Sequence, residues 1–232
     1  MAKMTKTKMA LLAVGLVILI VSSGLIVLFF GSLVIGANPA NLIRVACIGD
    51  SITEGEGYPV HLQAMLGDSY KVGNFGVSGS AVLLNSDVPY MNQSAFQNSK
   101  AFQPSIVVIM LGTNDAHETT YEPIEHFQAD YKQLISAYQA LDSNPQIWLA
   151  TPPPIFENEL DLNETNLEQG VIPQIEQVAN ELSLPTIDIN TALINYPEYF
   201  GDGVHPNNEG AMLIADYINQ AITSNGVSEA TP

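Results

Sequence analysis

The run IVVIML at 106–111, followed at once by GTND at 112–115, decides how this chain folds. An unbroken apolar run, mostly β-branched, leaves no face for water; it fits a strand buried on both sides within a parallel sheet. The turn that follows it falls at the strand's carboxyl end, which is where an open parallel sheet binds its ligands. On the N-terminal side, residues 43–48 and 70–75 read as two more strands, each running into its own glycine-bearing turn, GDSIT at 49–53 and NFGVSG at 74–79. On the C-terminal side, residues 147–150 form a strand stopped by Thr151-Pro152-Pro153-Pro154, because proline cannot continue a ladder. A fifth strand is expected at 186–189. Helical spacing marks 59–66, 124–140, 171–182 and 207–222, whereas 85–103 is a polar segment and 157–168 an acidic loop. Strands alternating with amphipathic stretches predict an α/β fold with a parallel sheet.

The 232 residues hold an apolar tract at 9–37 that carries no charge. As a helix rising about 1.5 Å per residue it would span roughly 40 Å, enough to cross a hydrocarbon core of about 30 Å. Its apolar length exceeds that of an ordinary secretory signal, so an uncleaved signal anchor is the preferred reading. Ile35-Gly36-Ala37 could serve as a weak cleavage site, which leaves cleavage and secretion as the alternative. Lys3, Lys6 and Lys8 precede the tract, so the positive-inside rule puts 1–8 in the cytoplasm and the remainder outside. The expected organisation is a cytoplasmic N-terminus at 1–8, a transmembrane anchor at 9–37, a linker at 38–41, one enzyme domain at 42–223 and a flexible tail at 224–232.

All 24 acidic residues lie at Asp50 or beyond, against only Arg44, Lys71, Lys100 and Lys132, which gives that region a formal charge of −20. Such a surface repels phosphate backbones and anionic headgroups, which argues against nucleic-acid binding and against membrane docking through a basic patch. The single cysteine, Cys47, permits no intramolecular disulfide and sits in an apolar strand, where a thiol acts as a small hydrophobe. His61, His117, His126 and His205 show no metal-ligand spacing, so no metal and no cofactor are expected.

The three glycine turns and a fourth loop, DGVHPN at 202–207, should converge on one edge of the sheet. Ester hydrolysis needs an activated hydroxyl, a base, a group to orient the base and donors aimed at the oxyanion. Ser51 stands where a strand turns into a helix, and His205 has an acid, Asp202, three residues before it. Ser51 is therefore the candidate nucleophile, His205 the general base and Asp202 its orienter. The backbone amides of Ser51 and Gly76 and the side-chain amide of Asn114 are the candidate oxyanion donors.

Taken in order, Ser51 in GDSIT, Gly76 in NFGVSG, Asn114 in GTND and His205 in DGVHPN resemble the four blocks of the SGNH or GDSL-type hydrolases. The resemblance implies a flavodoxin-like three-layer α/β/α sandwich with a five-stranded parallel sheet, and an oxyanion hole of Ser51, Gly76 and Asn114 beside the Ser51, Asp202 and His205 triad. The extended pieces GDSITEG, GYP, NFGVSG, IMLGTND, TPPP and DGVHPN look closest to bacterial-type acylhydrolases that include carbohydrate and sialate O-acetylesterases, which implies a small acyl group on a sugar. Ser105, where relatives often carry an acid, and Ala116-His117 after GTND depart from the pattern and bear on substrate choice alone. The alternatives are a lysophospholipase or lipid esterase held near a bilayer, and, more remotely, a non-catalytic glycan-binding module.

Overall fold

The computed structural model describes residues 42–55, 57–121 and 124–224. The expected N-terminus, anchor and linker, and the tail beyond Ser224, lie outside the described residues. Among those described, no helix is long and apolar enough to cross a membrane.

Five strands, β1 (Ile43–Gly49), β2 (Tyr70–Gly76), β3 (Ile106–Met110), β4 (Gln146–Ala150) and β5 (Thr186–Ile187), form one sheet in the order β2-β1-β3-β4-β5. Every pairing is parallel. Successive residues of each strand feed opposite faces, and both faces are dry. Ala46, Ile48, Val107 and Ile109 enter one core, while Val45, Cys47, Val108 and Met110 enter the other. This two-sided burial is why IVVIM reads as continuous apolar sequence.

Seven helices matter for the site: α1 (Ser51–Glu54), α2 (Tyr58–Leu66), α3 (Ser94–Ala101), α4 (Phe127–Gln139), α5 (Ile172–Leu182), α6 (Ile189–Leu193) and α7 (Asn208–Ser224). The first core is covered by α3, α4 and α5 through Phe96, Tyr131, Ile135, Ile175 and Val178. The second is covered by α2 and α7 through Tyr58, Leu62, Ile214 and Ile218. The sheet thus has a helical layer on each side.

Three boundaries differ from the sequence reading. Helix α3 lies inside the polar segment 85–103; it turns only Phe96 and Ser99 fully inward, with Phe96 edge-on to Tyr138 at 5.8 Å between centroids. So narrow an apolar stripe carries too little periodicity to be seen. Strand β5 stops at Ile187 because Asp188 caps α6, its carboxylate accepting from the Thr191 amide at 3.0 Å. The acidic loop turns helical at Glu164, and a π-helical stretch, Leu167–Val171, leads into α5. Cys47 is buried in β1, and burial pushes its thiol up to about 12, so it is no nucleophile at neutral pH.

Candidate active site

Strand β1 delivers Gly49 and Asp50 to the carboxyl edge of the sheet, and Ser51 opens α1 immediately after. Gly49 is obligatory here: a Cβ would stand 2.0 Å from Thr53 Oγ1 and 2.9 Å from the Met110 carbonyl. Asp50 caps the turn. Its Oδ1 accepts the Ile52 amide at 3.0 Å, and its carbonyl takes the amides of Thr53 and Glu54. The Ser51 amide is left without a partner among the described residues, while the Ser51 hydroxyl lies 2.9 Å from His205 Nε2.

His205 arrives from the far end of the chain. The loop that carries it is anchored by buried Phe200 and Val204, one in each core. Within it, Asp202 Oδ1 accepts the amides of Val204 at 3.0 Å and His205 at 2.7 Å, and Asp202 Oδ2 lies 2.7 Å from His205 Nδ1. Gly203 makes this turn with φ +82, a left-handed conformation, and a Cβ there would meet the Glu157 carbonyl oxygen at 2.2 Å. Burial works against charge on Asp202, but the His205 and Val204 amides and the His205 ring outweigh it and hold the carboxyl down at about 2. Ser51, His205 and Asp202 therefore form one hydrogen-bonded chain.

Asn114 begins a short 3-10 turn after β3, and its Nδ2 donates to the Ser80 carbonyl at 3.0 Å. One amide hydrogen is thereby held and the other left over. Ser80 in turn donates to the Gly49 carbonyl at 3.3 Å, which ties the 77–80 loop to the nucleophile turn.

Gly76 corrects the sequence reading. Its N–H is consumed by Asn74 Oδ1 at 3.0 Å, and Asn74 Nδ2 reaches the Thr53 carbonyl at 2.6 Å. Its close packing is structural, since a Cβ would lie 2.3 Å from the Glu54 amide nitrogen. Three residues on, Gly79 has φ +75, is exposed, and carries an N–H with no partner among the described residues. Glu54 steadies that loop, its Oε2 accepting the Ser78 amide at 2.8 Å and also the Ser78 hydroxyl. The signal that separates the two glycines is in the sequence: an asparagine two residues before a glycine forms an Asx turn that takes its amide.

Sequence reasoning also passed over two buried carboxyls behind the site. Burial pushes Asp50 up to about 6, against the Ile52 amide that its Oδ1 accepts at 3.0 Å; its Oδ2 has no partner among the described residues. Burial pushes Asp115 up to about 7, against the amides of Val82 and Leu83, which it accepts at 3.0 and 2.9 Å. His117 Nδ1 is engaged by the amide and hydroxyl of Thr119 in its own loop. Ser105 pairs with Arg44 and Gln146 through its backbone at the opposite end of β3. Among the described residues, no group of three or more His, Cys, Asp or Glu is arranged to hold a metal ion.

Ser51 and His205 open into a cavity of about 390 Å³ whose other walls include Gly57, Pro206, Asn207 and Ala211. A hydroxyl–imidazole–carboxylate chain at the carboxyl edge of a doubly covered parallel sheet defines a class of α/β hydrolytic sites. Residues 47–213 match the GDSL-like Lipase/Acylhydrolase family, and the chain belongs to that family. It is 37% identical over 214 residues to an acetylxylan esterase of Xylanibacter ruminicola. That match takes in 81% of this chain and 45% of the relative, so the chain spans less than half of that protein's length. Its fold is similar to that of a carbohydrate acetylesterase from Sinorhizobium meliloti, with a TM-score of 0.66 at 17% identity over 78% of this chain and 98% of the other. An acetylxylan esterase from Geobacillus stearothermophilus, solved as a catalytic mutant, gives 0.63 at 22% identity over 77% and 93%.

Proposed function

We propose that this chain is a serine esterase that removes acetyl groups from carbohydrate through an acyl-enzyme. The observation that carries the reading is the hydrogen-bonded chain, 2.9 Å from Ser51 Oγ to His205 Nε2 and 2.7 Å from His205 Nδ1 to Asp202 Oδ2. Ser51 attacks the ester carbonyl while His205 Nε2 takes its proton; Asp202 keeps the other ring proton on Nδ1 and balances the imidazolium. The oxyanion is received by the Ser51 and Gly79 amides and the free hydrogen of Asn114 Nδ2, with Gly79 taking the part first expected of Gly76. His205 returns the proton to the departing alcohol, and water, activated the same way, releases the acid. The substrate class is supported by the acetylxylan esterase relative and by the carbohydrate acetylesterase of like fold.

Two measurements test this. A fluorophosphonate probe should label the wild type and spare Ser51→Ala; equal labelling overturns the nucleophile. Rates on esters of rising acyl length should peak at acetyl, and a peak at long chains would favour the lipid-esterase reading instead. The uncharged tract at 9–37, with Lys3, Lys6 and Lys8 before it, supports a single-pass anchor that leaves the enzyme outside the cytoplasm. Release of the protein from membranes by alkaline carbonate would defeat the anchor.

A further inference from the structure

Beside the hydrolytic machinery stands an aromatic pair that the chemistry leaves unused. The rings of Tyr196 and Tyr199 are stacked, 5.1 Å between centroids and 5° from parallel. Tyr196 is nonetheless 38% exposed. Part of the Tyr196 side chain thus stays open to solvent beside the stack.

The pair is fixed to the wall of the cleft. The Tyr199 carbonyl accepts the Asn207 amide at 2.7 Å, and Phe200 bridges Pro206 in antiparallel fashion. Gly210 completes the corner: a Cβ on it would stand 2.8 Å from Pro206 Cβ and 3.3 Å from Tyr199 Cβ, so α7 starts directly against both. Pro206 and Asn207 are themselves walls of the cavity that opens on Ser51 and His205. Cleft and aromatic stack therefore share one rigid corner.

An exposed tyrosine face offers a flat apolar surface with a polar tip, which suits a group that is apolar on its face and hydroxylated at its edge. A sugar ring has that form, C–H bonds on the face and hydroxyls around the rim. Asn207 Oδ1 already accepts the Gly210 amide at 3.0 Å, so it is Asn208, also lining the cleft, whose side chain adds an amide for those hydroxyls. The charge narrows the choice further, since 24 acidic against 7 basic residues disfavour a uronate and leave a neutral sugar. Stacking on Tyr199 also holds the Tyr196 ring in place before binding, so less side-chain freedom is lost when a ligand arrives.

We propose that Tyr196, backed by Tyr199, is a stacking subsite for a neutral sugar ring adjoining the one that bears the acetyl group. The inference rests on the carbohydrate reading above and extends it, because a second ring makes the substrate an oligo- or polysaccharide. The test compares the full-length wild type, Tyr196→Ala and Tyr196→Phe on three substrates: 4-nitrophenyl acetate, an acetylated xylose, and an acetylated β-linked xylo-oligosaccharide. For Tyr196→Ala, kcat/KM on the oligosaccharide should fall about tenfold through a higher KM, roughly one aromatic contact. On the two small substrates it should stay within about twofold of wild type, which also shows that the variant folds. Tyr196→Phe keeps the ring face and should behave as wild type on all three. Equal losses on all substrates, or an unchanged rate on the oligosaccharide, overturn the subsite and leave the esterase assignment standing. A wild type that cleaves the aryl acetate but neither sugar ester overturns the carbohydrate reading itself, and the subsite with it.

Discussion

Replacing Asp202 with asparagine separates holding the loop from holding the proton. The carboxylate does both: Oδ1 accepts two backbone amides, at 3.0 and 2.7 Å, and Oδ2 faces His205 Nδ1 at 2.7 Å. Asparagine keeps one acceptor and substitutes a donor for the other. If its oxygen stays under the two amides, its NH2 faces Nδ1, which must then accept, and the ring proton moves to Nε2. That nitrogen is 2.9 Å from the Ser51 hydroxyl and has to be bare to take a proton from it. The opposite amide orientation sets NH2 against two N–H donors, at about 1–3 kcal/mol where water does not intervene. The wrong tautomer therefore prevails on an undisturbed loop. We expect kcat to fall ~10³- to 10⁴-fold, the scale of loss when a Ser-His-Asp triad holds the wrong imidazole tautomer, which is about 4 to 5.5 kcal/mol on the barrier. KM should stay within about twofold. The assay is steady-state hydrolysis of 4-nitrophenyl acetate at neutral pH, with a thermal melt alongside that should shift by less than about 3 °C. Retention of more than about a tenth of kcat would refute the orienting role of Asp202.

Gly203→Ala forces a side chain into a left-handed turn and against the Glu157 carbonyl; it should cost about 1–3 kcal/mol and lower Tm by several degrees, and an unchanged melt would show that the loop yields freely. Glu54→Ala releases both the amide and the hydroxyl of Ser78, so kcat should drop about tenfold at constant KM. Ser78→Ala, which keeps the amide bond, should lose less; the reverse order would discard the idea that Glu54 steadies the Gly79 donor. Asp202 is held at about 2 in the folded protein against an ordinary 3.8, so its contribution to stability is present above 3.8 and lost as pH falls through about 2. The stability advantage of wild type over Asp202→Asn in urea should shrink from about pH 5 to about pH 2, and a constant gap would contradict that.

What the sequence revealed and what it hid follow from how local each feature is. Residues 106–110 announce their strand because every side chain is buried, and the turns after β1 and β3 are legible because each follows such a run. Asp202 and His205 are only three residues apart, so their geometry is nearly a property of one turn. Gly76 and Gly79 are a different matter: both belong to one glycine-rich turn, and the choice depends on which N–H the neighbouring side chain consumes. Helix α3 was hidden because its neighbours, more than its own pattern, define which face is inward. Asp50 and Asp115 read as ordinary turn residues, and only the packing shows that both are sealed from water.

The hydroxyl and the imidazole come from positions 154 residues apart, with β2, β3, β4 and β5 between them. Neither fragment of a severed chain holds both groups, so hydrolysis begins only once the first strand and the last loop have been brought to the same rim. Turnover of a simple ester thus reports the completion of folding, and the appearance of activity during refolding can be timed against the burial of Trp148 in β4 to order the assembly of the molecule's two ends.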